Sequence, residues 1–223
     1  MSRSRVASAW HLGTALVSLV SLLVQLVLVV HGTDVLVDDT TGRPLVGAPT
    51  RVLRFFSYFT VESNVLVIVA TALLAREPGR DGAVFRPVRL AGLVGITVTF
   101  VVYLVALRPL LDLHGVAAAT DVGFHIATPV LAVMGFLLFG PWPRFGAHVL
   151  VWSLAWPVVW AGYTLVHGAA SGWYPYPFLD VTSLGYGVAL RNVLLVAVVA
   201  VVLAAAYVAV DAVLGRRAMV ARR

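Results

Sequence analysis

Apolar residues dominate six stretches of this chain, and short segments rich in arginine, proline and glycine separate them. Each stretch is long enough for a helix of about 20 residues, which crosses the hydrocarbon core of a bilayer. The pattern therefore predicts an all-α, polytopic membrane protein, a single domain built as one bundle of six transmembrane helices. The predicted helices cover about residues 10–30, 55–75, 88–107, 121–139, 145–166 and 189–214.

The composition agrees with this pattern. Charged residues make up 12% of the 223 positions and hydrophobic residues 61%, whereas soluble domains carry about 25% charged residues. Cysteine is absent, which excludes a disulfide framework, a thiolate nucleophile and a cysteine-based metal site. All 16 basic residues are arginines. They lie at helix ends and in loops, so we attribute them to orientation in the bilayer and expect no nucleic acid as a partner.

The distribution of the arginines predicts how the chain is oriented. Six crossings place both termini on one side, and eleven of the 16 arginines then fall on that side. Because cytoplasmic loops carry the excess of basic residues, both termini are predicted to be cytoplasmic. We expect a multi-pass protein of the plasma membrane, which in a bacterium is the inner membrane.

Polar residues inside two of the predicted helices are the candidates for chemistry. Thr60, Glu62 and Asn64 lie in the second helix, and Asp121 and His125 lie in the fourth. An ionisable side chain at bilayer depth costs roughly 2.5–3.5 kcal/mol, so its presence favours a function. Thr60 is about 7–8 Å inside the second predicted helix, and His125 is about 6 Å inside the fourth. These similar depths predict that both residues occupy one layer beneath the outer surface.

The spacing of these residues refines the prediction. Thr60 and Asn64 are four positions apart, as are Asp121 and His125, so each pair shares one helix face. Asp121 is positioned either to fix the tautomer of His125 or to cap the fourth helix, and the two roles are compatible. Threonine is a weak nucleophile that requires a neutral imidazole nearby. The pattern predicts acyl transfer to Thr60 with His125 as the general base.

An oxyanion formed in this layer needs hydrogen-bond donors, and the substrate needs a pocket. The candidates for the supporting and oxyanion role are Asn64, Asp121, Tyr163 and His167. The candidates for the substrate pocket are His31, Glu62, Trp173, Tyr174, Tyr176 and Arg191. Glu62 points about 200° away from Thr60 around the helix, so it is expected to contact another helix or to pair with Arg191 or Arg54. The aromatic and proline-rich segment 166–180 is either an interfacial belt or a stiff wall beside an acyl chain.

Three short motifs resemble a known family. They are the segment Phe56 to Asn64, the segment Gly123 to Leu131, and the stretch from His167 through Trp173 to Leu179. In this order they resemble the androgen-induced integral membrane hydrolases and their six-helix bacterial relatives. In that family a threonine of the second helix and a histidine of the fourth form the catalytic pair, which implies Thr60 as nucleophile and His125 as base here. Animal members hydrolyse fatty acid esters of hydroxy fatty acids, so the resemblance implies a lipid ester substrate. We expect no metal and no other cofactor.

Two other functions remain open from the sequence. The first is a metal-dependent intramembrane hydrolase, in which His31, His125 and His167, together with Asp121 or Glu62, bind zinc and activate water. No two of these histidines share a helix at a spacing of four. The second is a non-catalytic membrane protein that binds a lipid or small molecule, or that carries haem between histidines of different helices.

Overall fold

The computed structural model describes residues 2–32 and 46–220 of the chain. Helices account for nearly all of the regular structure in these two ranges, and no β-strand is found there. The α-helices of the described residues are α1 (Arg3–His31), α2 (Ala48–Phe56), α3 (Phe59–Arg76), α4 (Phe85–Val102), α5 (Gly115–Val122), α6 (Thr128–Phe139), α7 (Ala147–Ser171) and α8 (Val181–Val220).

Six helical stretches of the described residues are long and apolar enough to cross a membrane, which confirms the predicted number. They are Arg3–His31, Phe59–Arg76, Phe85–Leu110, Gly115–Phe139, Ala147–Ser171 and Val181–Val220. The chain is therefore an all-helical, multi-pass membrane protein. Which side of the membrane holds the termini stays a prediction from the arginine count.

The predicted helix boundaries differ from the structure at several crossings: the first begins at Arg3 and the sixth at Val181, seven and eight residues before the predicted starts. The differences at the second and fourth crossings bear on the candidate residues. A separate helix, α2, precedes the second crossing, and Tyr58 adopts an extended conformation (φ −74°, ψ 130°) immediately before α3. The fourth crossing begins at Gly115, six residues before the predicted start, and its N-cap is His114. The proposed capping role of Asp121 is therefore wrong, because Asp121 lies inside the crossing.

Two crossings contain π-helical segments. Tyr103–Leu107 continues α4, and Gly123–Ala127 joins α5 to α6. A π-helical turn brings residues five positions apart close together and widens the helix locally, and such turns occur often at functional sites. These two segments place side chains that a regular α-helix would direct elsewhere.

Helix α1 presents its polar residues to the protein and its apolar residues to the outside. The buried polar positions recur every three or four residues, as one helix face requires. They are His11, Thr14, Ser18, Ser21 and Gln25. Leucines on the opposite face are exposed, among them Leu12, Leu16 and Leu23. This arrangement suits a bilayer, where lipid solvates the apolar face and polar groups need protein partners.

Close helix contacts hold the centre of the bundle. Helix α3 packs against both α1 and α4, and Gly95 of α4 lies where a Cβ would come within 2.8 Å of both Ser63 and Trp156. Glycine at this point lets the helices approach closely, as small residues do in membrane bundles. Helices α7 and α8 bury a smaller share of their surface, so their apolar side chains face lipid.

Candidate active site

Thr60 and His125 lie beside each other in the interior of the bundle. Thr60 is the second residue of α3, and His125 lies in the π-helical segment Gly123–Ala127. The hydroxyl oxygen Oγ1 of Thr60 is 3.4 Å from the ring nitrogen Nε2 of His125. Thr60 is 7% exposed and His125 is 5% exposed. The structure therefore brings together the two residues that the sequence analysis paired.

Asp121 determines which ring nitrogen of His125 carries the proton. Nδ1 of His125 lies 2.9 Å from the carboxylate oxygen Oδ1 of Asp121 and 3.1 Å from the backbone carbonyl oxygen of the same residue. The ring N–H points more directly at the carbonyl, and the carboxylate lies beside it. A carbonyl oxygen only accepts hydrogen bonds, so Nδ1 is the nitrogen that carries the hydrogen in the neutral form of the ring. Nε2 is then free to accept a proton from Thr60.

Tyr103 contacts both Asp121 and His125, and the sequence did not predict this role for it. Its hydroxyl donates to Oδ2 of Asp121 at 2.5 Å. Its ring stacks on the imidazole of His125, with the ring centres 4.3 Å apart and an interplanar angle of 13°. The guanidinium of Arg108 donates to the Tyr103 hydroxyl at 3.1 Å. Arg108 follows Tyr103 by five positions, a spacing that a π-helical turn brings together and an α-helix separates.

The ends of this network fix the direction of every hydrogen bond in it. Arg108 has only donors, so the Tyr103 oxygen accepts from Arg108 and its hydrogen goes to Asp121. On the other side, the Nδ1 hydrogen of His125 faces the backbone carbonyl of Asp121, so Nε2 accepts from Thr60. The Thr60 hydroxyl hydrogen is therefore directed at Nε2 of His125.

Tyr176 reaches Thr60 from the segment that joins α7 to α8. The backbone N–H of Thr60 donates to the Tyr176 hydroxyl oxygen at 3.2 Å, and the two hydroxyl oxygens are 3.3 Å apart. Burial raises the pKa of Tyr176 to about 12, and its hydrogen bonds with Thr60 oppose this rise only in part. The hydroxyl therefore keeps its hydrogen at neutral pH. The predicted aromatic wall thus contacts the candidate nucleophile directly.

The other predicted supporting residues are occupied elsewhere. Asn64 donates to the carbonyl oxygen of Thr60 at 2.8 Å and accepts from Ser18 at 2.8 Å, so it joins α3 to α1. The hydroxyl of Tyr163 is 2.7 Å from that of Ser57, and His167 stacks on the Tyr163 ring at a centre distance of 5.5 Å. Neither Tyr163 nor His167 forms a hydrogen bond to the Thr60 hydroxyl or to the His125 ring.

Glu62 pairs with a tryptophan rather than with an arginine. Its carboxylate accepts a hydrogen bond from the indole nitrogen of Trp156 at 2.6 Å, so the expected contact with another helix is found and the arginine alternative is wrong. Arg54 lies over Trp173 instead, with its guanidinium carbon 5.0 Å from the centre of the Trp173 ring. Tyr174 packs over Gly168, where a side chain would collide with its ring.

The remaining pocket candidates lie at the surface. His31 and Arg191 are exposed. His31 is the last residue of α1, and neither side chain is hydrogen-bonded to Thr60 or His125. Within residues 2–32 and 46–220, no three histidine, aspartate or glutamate side chains come close enough to hold a metal ion. The zinc site considered from the sequence therefore has no geometric support in this part of the chain.

Comparison with known proteins finds no family model, curated protein or solved structure that matches the chain. The arrangement of its own side chains is therefore the basis on which a function is assigned. In that arrangement a buried carboxylate, an imidazole and a hydroxyl contact one another in series. This geometry is typical of a base-activated nucleophile.

Proposed function

We propose that this chain is an intramembrane lipid ester hydrolase in which Thr60 is the nucleophile and His125 is the general base. The observation that carries the proposal is the 3.4 Å separation of Thr60 Oγ1 and His125 Nε2, together with Asp121 at the opposite ring nitrogen. A distance at the long end of the hydrogen-bond range is usual for a nucleophile and its base before substrate binds.

The first half of the proposed reaction acylates Thr60. Oγ1 of Thr60 attacks the carbonyl carbon of the ester while its proton passes to Nε2 of His125, and the carbonyl electron pair moves onto oxygen. The tetrahedral intermediate then breaks its bond to the alkoxide oxygen, which takes the proton from Nε2 and leaves as the alcohol. Asp121 stabilises the imidazolium that exists between these two transfers.

The second half releases the acid. Water loses a proton to Nε2 of His125 and attacks the acyl carbon, and collapse of this intermediate breaks the bond to Oγ1. The proton on Nε2 returns to Thr60, and the enzyme is restored. No group outside Asp121, His125 and Thr60 is needed to balance protons in either half of the reaction.

Two features support a lipid as the ester. The site lies inside a bundle whose outer surface is apolar along all six crossings, so a substrate dissolved in the bilayer reaches it by lateral entry. The aromatic residues Tyr58, Trp173 and Tyr176 pack edge to face beside the start of α3, and such a surface suits an acyl chain. We place the site toward the outer leaflet of the plasma membrane, with both termini cytoplasmic.

Labelling with a fluorophosphonate probe tests the assignment. Such probes phosphonylate an activated hydroxyl, so wild-type protein should label while Thr60→Ala and His125→Ala should not. Steady-state ester hydrolysis should fall by about 10³–10⁶-fold in both variants, as for other nucleophile and base deletions. Hydrolysis by the wild type should also persist in a chelator, unlike that of a zinc enzyme.

Thr71→Ala is the matched control, because Thr71 is a buried threonine of the same helix whose hydroxyl donates to the carbonyl of Val67 at 2.6 Å. It should label at the wild-type rate. Equal labelling of wild type, Thr60→Ala and His125→Ala would refute the catalytic pair.

A further inference from the structure

We infer that the Tyr176 hydroxyl and the backbone N–H of Thr60 together form the oxyanion hole of this enzyme. Tyr176 is thereby a catalytic residue, since it donates to the oxygen that gains charge in the reaction. The inference rests on the proposed function, because an oxyanion forms only if Thr60 attacks a carbonyl. It assigns a role that the sequence analysis gave to other residues.

The first element of this site is the start of α3. The N–H groups of Val61 and Glu62 both donate to the carbonyl of Tyr58, at 3.0 and 3.2 Å. The N–H of Thr60 has no acceptor within the helix, because the first N–H groups of any α-helix lack one. It points at the Tyr176 oxygen instead. The positive end of the helix dipole lies here as well, and it favours an anion.

The second element is the hydrogen of Tyr176. The Tyr176 oxygen accepts from the Thr60 N–H, so its own hydrogen is available for donation. The nearest acceptor is Oγ1 of Thr60 at 3.3 Å, whose own hydrogen is directed to His125. Before substrate binds, the Tyr176 hydroxyl therefore contacts both the N–H and Oγ1 of Thr60. A carbonyl oxygen that approaches as Oγ1 attacks its carbon replaces the Tyr176 oxygen as the acceptor of the Thr60 N–H and replaces Oγ1 as the acceptor of the Tyr176 hydroxyl.

The other side-chain donors near Thr60 do not contact its hydroxyl. Asn64 donates to the backbone carbonyl of Thr60 and accepts from Ser18, and it forms no hydrogen bond to Thr60 Oγ1. Ser57 donates its hydrogen to the Leu53 carbonyl, so Tyr163 is the donor in their 2.7 Å contact. Tyr176 is the remaining side-chain donor that touches Thr60 among the described residues.

The packing around Tyr176 holds its hydroxyl in place. Its ring stacks on Phe178 at 5.2 Å and meets Tyr58 edge to face at 5.5 Å. A preorganised donor of this kind needs no reorientation when charge develops, which is why oxyanion holes contribute strongly to catalysis. The same packing means that phenylalanine fits the position, so the hydroxyl can be removed alone.

In the reaction, the carbonyl π pair moves to oxygen as Oγ1 bonds to carbon and its proton reaches His125. The new oxyanion accepts hydrogen bonds from the Thr60 N–H and the Tyr176 O–H, and neither donor loses its proton. When the intermediate collapses, the pair returns to form the carbonyl again. Tyr176 thus stabilises each tetrahedral intermediate without taking part in proton transfer.

Tyr176→Phe is the first test, with Tyr207→Phe as the matched control, because Tyr207 is a buried tyrosine whose hydroxyl is 2.7 Å from that of Thr97 and is not hydrogen-bonded to Thr60. We expect kcat to fall by about 10²–10³-fold for Tyr176→Phe, with KM within a few-fold of wild type, because one oxyanion donor is lost. Tyr207→Phe should change neither. Unchanged kcat in Tyr176→Phe, with activity still lost in Thr60→Ala, would overturn the oxyanion role and leave the proposed function standing. Activity retained in Thr60→Ala would instead refute the proposed function.

A ring-fluorinated tyrosine at position 176 is the second test, and it preserves the fold and the hydroxyl. Fluorine lowers the pKa of the phenol, so the hydroxyl loses its hydrogen at a lower pH than the wild-type group, whose pKa is about 12. Ester hydrolysis should therefore decline at a lower alkaline pH than in wild type. The same substitution at Tyr207 should leave the profile unchanged. Identical alkaline limits in wild type and the position-176 variant would contradict the inference even if Tyr176→Phe fails to fold.

Discussion

Two groups of buried polar residues lie at opposite ends of this bundle, and their partners differ in kind. The Thr60 cluster consists of Thr60, Tyr103, Asp121, His125 and Tyr176, which contact one another through side chains. The Arg89 cluster consists of Arg89 and Asp211, which bind backbone groups of the segment between α6 and α7. Arg89 donates to the carbonyls of Gly140 and Pro141. Asp211 accepts from the N–H groups of Arg144 and Phe145, at 2.6 and 2.9 Å.

The difference shows what separates the proposed active site from a structural anchor. Backbone amide groups neither lose nor gain a proton near neutral pH. The hydrogen bonds of Arg89 and Asp211 therefore only hold the loop in place. Arg89 is also enclosed by the rings of Phe136 and Phe145, each about 5.5 Å away. A cavity of about 20 Å³ beside Arg89 and His11 has room for about one water molecule. The Thr60 cluster instead ends in a hydroxyl whose proton faces a base.

Among the variants that test this comparison, Asp121→Asn should have the largest effect on activity. The amide group can direct an N–H toward Nδ1 of His125, which favours the tautomer with its proton on Nε2 and removes the base from Thr60. We expect kcat to fall by about 10²–10⁴-fold, with unfolding in detergent close to wild type. Asp112→Asn, at an exposed carboxylate, is the control. Full activity in Asp121→Asn would mean that the backbone carbonyl alone orients His125.

Asp211→Ala tests the other cluster and should change stability rather than activity. One buried and one partly buried N–H group would lose their acceptor, at about 1–3 kcal/mol each, so the free energy of unfolding should fall by about 2–6 kcal/mol. The kcat of the protein that remains folded should match wild type. Denaturation followed in parallel with kcat measures both quantities, and Asp112→Ala should leave both unchanged. A loss of kcat without a loss of stability would show that the Arg89 cluster is not merely an anchor.

Tyr103→Phe should give the smallest of these effects. The phenylalanine ring can still stack on His125, while the hydrogen bond to Asp121 is lost. We expect kcat to fall about tenfold with KM unchanged, the loss of roughly one hydrogen bond to a charged group. Tyr207→Phe removes a buried hydroxyl that is 2.7 Å from Thr97, outside the Thr60 cluster, and should retain wild-type kcat. A tenfold loss in both variants would indicate a general packing effect instead.

The sequence predicted the pairing of Thr60 with His125 although it misplaced both helix starts. The second crossing begins at Phe59, so Thr60 lies at its very beginning. The fourth begins at Gly115, so His125 lies ten residues, or about 15 Å, inside it. The two meet because these helices start at different heights. Helix ends are set by capping residues such as Tyr58 and His114, and the hydrophobic pattern does not reveal these positions.

The sequence alone determined the six crossings and the shared face of Asp121 and His125, because hydrophobic length and helical periodicity are local properties of the chain. Arg89 and Asp211 are, like His125, ionisable residues within apolar stretches, so the rule that favoured His125 does not separate them from it. Only the tertiary structure decided between them. Whether a buried polar group meets a side chain or a backbone group depends on contacts between distant segments, and the Tyr103 and Tyr176 contacts are of that kind.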